Sequence, residues 1–135
     1  MIDTDHNNAD IIWINLNNSK QPTLAGSMLN QEHGKYGESY SNIDLSIITK
    51  WIEVSKQINQ KAGMYSYQPV GQGGLAFTCA QLVMAGELGV ELNLNAKQYQ
   101  DKKALFSEAP GVVLVVAKDT TADIRALLEL SLIHI

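Results

Sequence analysis

Residues 68–75, QPVGQGGL, are where this sequence comes closest to ligand chemistry. Gly71, Gly73 and Gly74 permit left-handed backbone angles and close approach of the main chain. A turn of this kind that opens a helix presents free N–H groups and the positive end of the helix dipole, a combination that favours a phosphate or a carboxylate. The same Gly-x-Gly-Gly serves equally as a tight strand-to-helix connection. Gln68 and Gln72 do not decide between these readings, because both hydrogen-bond but neither moves a proton at neutral pH. Glu108, in LFSEAPG, is the second candidate: a carboxylate at a strand entrance can coordinate magnesium or bind a hydroxyl. The commoner reading of that stretch is a surface turn made by Ser107, Glu108, Pro110 and Gly111.

The remaining reactive side chains assemble no catalytic set. His6, His33 and His134 lie at no metal-ligand spacing from one another or from the cysteine, so no metal site is expected. His33 stands beside Glu32 in a glycine-rich loop, where it can touch a ligand, although an exposed loop histidine is the commoner outcome. Cys79 is the sole cysteine and falls inside a predicted helix. It excludes an internal disulfide, fits a reducing cytoplasm and reads as a buried core thiol.

The elements that must position these residues follow from periodicity. IIWINL, residues 11–16, is a short β-branched and aromatic run that predicts a strand. NNSKQPT supplies a turn, and residues 24–42 read as a long ordered loop with one helical turn at 26–32. A helix is predicted from Asp44 to Gln60, with Leu45, Ile48, Trp51, Ile52, Ser55 and Ile58 on its apolar face. Asn42 or Asp44 caps it and Gly63 ends it. A strand at 64–68 leads to the glycine turn, followed by a helix from Gly74 to Gly86 with Leu75, Cys79, Leu82 and Val83 inward. GVELNL, residues 89–94, alternates as a third strand with Val90, Leu92 and Leu94 inward. A polar link with a helical turn reaches GVVLVVA, an uninterrupted apolar run that reads as a central strand. Thr120 or Thr121 caps a last helix through Leu130. Trp51 and Tyr65 read as core aromatics, Tyr36 and Tyr40 as loop residues able to cap an interface. The expected fold is an α/β (α+β) sandwich: a mixed four-stranded sheet with helices mainly on one face.

Composition sets the outer bounds. The 135 residues suit one domain, with an N-terminal arm at 1–9, the domain at 10–130 and a tail at 131–135. The ending SLIHI, apolar and uncapped, is expected to be cut or non-native. A net charge of −4 and thinly spread basic residues argue against a nucleic-acid partner. No apolar run approaches the roughly 20 residues of a membrane span, and MIDTDHNNAD does not read as a signal peptide, so a cytoplasmic location is expected.

Several of these segments, in order, resemble one family. GGLAFTCAQLVMAGELGVELNL is similar to the segment after the His-Asp-x-Ser-Asp-Gly-Gly-Leu motif of formylglycinamidine ribonucleotide amidotransferase (phosphoribosylformylglycinamidine synthase). ALFSEAPGVVLVV resembles its Leu-Phe-x-Glu turn and strand, and IIWINLNNSKQPTLAGSMLNQEHGKYGE its upstream strand, loop and Tyr-Gly element. The register holds over residues 10–130 and looks most like the second repeat of the large single-chain form. The resemblance implies the C-terminal domain fold of the aminoimidazole ribonucleotide synthetase superfamily. It also implies ATP-dependent conversion of formylglycinamide ribonucleotide to the amidine by a parent enzyme that uses magnesium. This domain itself would carry no cofactor. Its implied partner is a separate N-terminal ATP-binding domain or a second copy, as in a homodimer.

Laid on the family motif, Gln68 replaces the His, Pro69 the first Asp, Gly71 the Ser and Gln72 the second Asp, while Gly73, Gly74 and Leu75 match. Glu108 matches the family carboxylate, and Val112 stands near where smaller members often carry arginine. The resemblance therefore implies phosphate or substrate contact at Gly71, Gly73, Gly74 and Glu108, with no catalytic residue. A non-catalytic interaction module with a degenerate ligand site is the rival reading. Another branch of the superfamily, such as a thiamine-phosphate kinase relative, is a third.

Overall fold

The computed structural model describes residues 9–17, 22–36, 39–40, 43–92, 94 and 101–130. The chain runs β1 (Ala9–Asn15), α1 (Met28–Glu32), α2 (Leu45–Ile58), β2 (Met64–Pro69), α3 (Gly74–Gly86), α4 (Asp101–Phe106), β3 (Gly111–Ala117) and α5 (Lys118–Leu130). The arm at 1–8, with His6, and the tail at 131–135, with His134, lie outside the described residues, as does Asn42.

β3 has the expected central place. Its GVVLVVA sequence has no charged residue to leave in water, and Gly111 through Val116 are buried. The order is β1-β3-β2, and β3 pairs antiparallel with both neighbours. Successive residues point to opposite faces. Val112, Leu114 and Val116 therefore join Ile12, Ile14 and Leu16 of the β1 segment on one face, against α2 and α5. Val113 turns to the other face with Ile11 and Trp13 and packs against Leu75 and Cys79 of α3.

Two expectations about the sheet are corrected. Among the described residues it has three strands, all antiparallel, in place of a mixed four. Residues 88–92 form no strand. Glu87 closes α3 in a left-handed conformation (φ 52°), Val90 is exposed, and Leu92 and Leu94 lie against the Leu75–Cys79–Val113 cluster. The alternation in GVELNL thus reports two leucines seeking apolar cover, with no strand ladder behind it. Helices also cover both faces, α2 and α5 on one and α3 on the other, because β3 is apolar on both sides.

The apolar stripe of α2 is likewise rotated from the expected one. Ile47, Trp51, Val54 and Ile58 are buried, whereas Leu45 and Ile52 are 74% and 51% exposed. Two stripes at three- and four-residue spacing compete on this helix, and the one continuous with Trp51 and Val54 meets the sheet. Asp44 caps the helix, its Oδ1 accepting from Ser46 N at 2.9 Å. Gly63 lies beyond the helix end, in the turn before β2, with φ 86°.

α5 starts at Lys118, two residues before the expected threonine caps. Thr120 and Thr121 instead tie the helix to its surroundings: Thr120 Oγ1 donates to Ala62 O at 3.2 Å and Thr121 Oγ1 to Asp10 Oδ2 at 2.8 Å. Among the described residues no helix is long and apolar enough to cross a membrane.

Candidate functional site

The sheet register gathers three connections at one end. Asn15, at the end of β1, pairs with Gly111, at the start of β3. Pro69, at the end of β2, pairs with Val112. Antiparallel pairing therefore puts the segment after β1, the glycine turn after β2 and the residues before β3 side by side. Two backbone bonds hold the junction: Leu16 N donates to Pro110 O at 3.0 Å and Val70 N to Gly111 O at 2.8 Å.

Glu108 sits where the three meet. Its Oε1 accepts from Gly73 N at 2.9 Å and from Met28 N at 2.8 Å. The glycine turn thus does hold an anion, and the anion is a carboxylate of the same chain. Gly73 is the N-cap of α3 (φ 80°), which places Glu108 against the positive end of a 13-residue helix. Met28 is the first residue of α1, whose own N-cap, Ser27, takes Asn30 N on its side chain at 3.3 Å. Both bonds to Glu108 are charge-assisted, the stronger kind of N–H···O contact.

The glycines have three separate jobs. Gly74 (φ 68°) is pressed against backbone: a Cβ there would lie 2.7 Å from Leu105 O and from Ser107 O. Its N–H donates to Gly71 O at 3.0 Å, closing the turn. Gly73 needs its positive φ, and a Cβ would meet Phe77 Cβ at 2.6 Å. Gly71 is exposed, with nothing within 4 Å of where a Cβ would be. The turn is open at Gly71 and filled at Gly73 and Gly74.

The structure therefore brings Gly73, Gly74 and Glu108 together and leaves Gly71 at the solvent edge. The Met28 N–H was not legible as a partner, because a backbone donor carries no side-chain signature; Ser27, a good N-cap type before a short apolar stretch, was the available hint. Cys79 is 1% exposed on the sheet side of α3, and burial pushes its thiol up, away from the reactive thiolate. His33 is exposed and its Nδ1 lies 3.0 Å from Leu29 O, so the ring is spent on the end of α1. Tyr36 and Tyr40 are exposed, and the Tyr40 ring covers Gly26. Trp51 is buried and stacks on Tyr67 with ring centroids 6.0 Å apart, while Tyr65 is half-buried.

Magnesium, which the family resemblance implies for a parent enzyme, does not fit this turn. Oε1 of Glu108 already accepts two N–H groups, and no cluster of three His, Cys, Asp or Glu side chains occurs among the described residues.

No protein-family model matches the chain. It is 32% identical over 127 residues to the phosphoribosylformylglycinamidine synthase of Schizosaccharomyces pombe. That alignment takes in 93% of this chain, which spans only about 9% of the length of the relative. The similarity therefore runs nearly end to end of this chain while matching one stretch of that relative, a phosphoribosylformylglycinamidine synthase.

Proposed function

We propose that the chain is a domain or fragment of a phosphoribosylformylglycinamidine synthase-like protein of purine biosynthesis, inactive on its own. The observation that carries this reading is the 32% identity over 93% of the chain. Within it, the domain takes the C-terminal fold of the aminoimidazole ribonucleotide synthetase superfamily and works in the cytoplasm. ATP and magnesium belong to a neighbouring N-terminal domain on the same chain or on a second copy. Gly71, Gly73 and Gly74 face a phosphorylated nucleotide substrate, with Glu108 as the polar partner. The open space at Gly71 supports contact there, since a ligand reaches that part of the turn without meeting a side chain.

A thermal-shift titration with formylglycinamide ribonucleotide and with Mg-ATP tests the reading. It is run on this chain and on a longer form carrying the upstream sequence. Stabilisation of the longer form by either ligand is the expected result. No shift in either protein would sink the ligand-binding claim.

One observation favours the second reading, an interaction module with a degenerate site. Gly73 N and Gly74 N, two of the donors a phosphate would use, are taken by Glu108 and Gly71. That reading predicts self-association, which light scattering detects, and no ligand in the turn.

A further inference from the structure

We infer that Glu108 is a positioning residue that couples the α1 segment to the glycine turn, so that a change at either one is felt at the other. The coupling rests on one oxygen atom. Oε1 accepts from Met28 N, 80 residues away in sequence, and from Gly73 N, 35 residues away. An acceptor shared by two donors has to suit both. When one donor moves, the carboxylate follows or loses the other.

The parts on either side are stiff enough to transmit such a displacement. On one side, α1 is closed by its own bonds: the Ser27 cap, Gln31 Nε2 to Gly26 O at 2.9 Å, and Lys35 N to Asn30 O at 2.8 Å. Ser27 and Asn30 are buried, so the segment shifts as a piece. On the other side, Gly74 is seated on the backbone of residues 105–107 with no slack. Glu108 follows directly on that stretch, and Ser107 Oγ fixes the next turn by accepting from Ala109 N at 3.3 Å. The strap operates whether or not the turn holds a ligand.

Met28→Pro tests this with little collateral damage. Met28 is the first residue of α1, where proline is favoured and its missing N–H costs the helix nothing. The residue before a proline prefers extended backbone, and Ser27 already has ψ 154°. The Met28 side chain is 44% exposed, so its loss opens no deep cavity. The substitution therefore removes one donor to Glu108 and changes little else.

Amide hydrogen exchange followed by NMR is the readout. Met28→Pro is expected to speed exchange at Gly73 about tenfold, the weight of one charge-assisted hydrogen bond, while amides of β3 keep their protection. Glu108→Ala is expected to speed Met28 and Gly73 together by a similar factor. Glu108→Gln, whose amide oxygen still accepts, should restore part of the protection at both. Unchanged exchange at Gly73 in Met28→Pro overturns the coupling. So does acceleration of only one of the two amides in Glu108→Ala. If Glu108→Ala fails to fold, Met28→Pro and Glu108→Gln decide the question by themselves.

Discussion

The sheet face that meets α2 and α5 and the face that meets α3 are built from alternate residues of the same strands, yet they are held in different ways. The first is a core of twelve buried apolar residues drawn from two strands, two helices and Leu16. The second has three buried residues, Leu75, Cys79 and Val113, and a fringe of half-buried ones. What the second face lacks in apolar volume it makes up in backbone fit. Gly74 packs on main-chain atoms, Gly73 bonds to Glu108, and Thr78 Oγ1, buried, donates to Gly74 O at 2.9 Å. A face held by volume tolerates a change of shape that keeps the volume. One held by close backbone contact tolerates almost nothing at the contact points. The candidate site lies on the second kind.

Neighbouring residues of β3 give the most forceful way to break this contrast. Leu114 faces the large core and Val113 the small one, both 0% exposed. Leu114→Ala is expected to lower stability by about 3 kcal/mol, transfer plus the cavity that the rigid neighbours leave. Val113→Ala should cost about 1.5 kcal/mol, close to the transfer value of two methyl groups, because its half-buried neighbours can close in. Urea unfolding of both variants measures this. An equal loss per carbon removed would mean that the two faces do not differ in rigidity.

A smaller effect is expected inside the turn. Gly74→Ala should cost about 2–3 kcal/mol, from the left-handed backbone and the overlap with Leu105 O and Ser107 O. Gly71→Ala, three residues earlier, should stay within about 0.5 kcal/mol, since nothing stands within 4 Å. The same unfolding measurement separates them, and comparable losses would refute the division of labour among the glycines. Gly71→Ala is also the cleanest probe of ligand contact at the turn, because it leaves the fold intact.

Which features were legible in the sequence follows from the same contrast. The central strand could be read from GVVLVVA because burial on both faces leaves no polar residue in the run. The bounds of α3 matched, since Gly74 and Gly86 punctuate it. The α2 stripe was misplaced only at Leu45 and Ile52: Trp51 and Ile58 are buried and Ile48 packs against the core, and only tertiary packing adds Ile47 and Val54 to that face. GVELNL failed as a strand for a related reason: alternation records burial, and Leu92 and Leu94 find it without a ladder. At the site, Gly73, Gly74 and Glu108 could be singled out as residues, but their mutual contact could not. It depends on strand register and on backbone N–H groups, neither of which has a residue type.

Cys79 tests the small face with a side chain in place of the backbone. Its thiol is buried, and the same burial raises it away from the thiolate form. In the folded chain it should react with a thiol reagent only as fast as the protein opens, so a stabilising salt such as sulfate should slow the reaction. Cys79→Ser, which places a hydroxyl in that apolar site, should cost about 1–2 kcal/mol. Reaction at the rate of an exposed thiol would show that α3 is loosely held, and the face would then rest on less than the backbone fit described above.

Asp44 carries the mildest expected effect and bears on the large face alone. Hydrogen bonds from Ser46, side chain and backbone, hold its carboxyl below the ordinary aspartate range, with help from the Lys50 charge. A depressed folded-state value means that the unfolded chain takes up the proton first as the pH falls. The stabilisation is therefore fully present above about pH 4, the ordinary aspartate value, and is lost as the pH drops through the lower folded-state value. Asp44→Asn keeps a good N-cap but removes the charge, so it should leave Tm near neutrality almost unchanged and flatten part of its decline below pH 4. The comparison that matters is with Glu108→Gln, which also neutralises a carboxylate at a helix start. Asp44 is a local cap, so its loss should register only in the amides of the first turn of α2. Glu108 bridges two elements, so its loss should register in both. If the two substitutions perturb equally narrow regions, Glu108 is another local cap, and the two faces differ in core size alone.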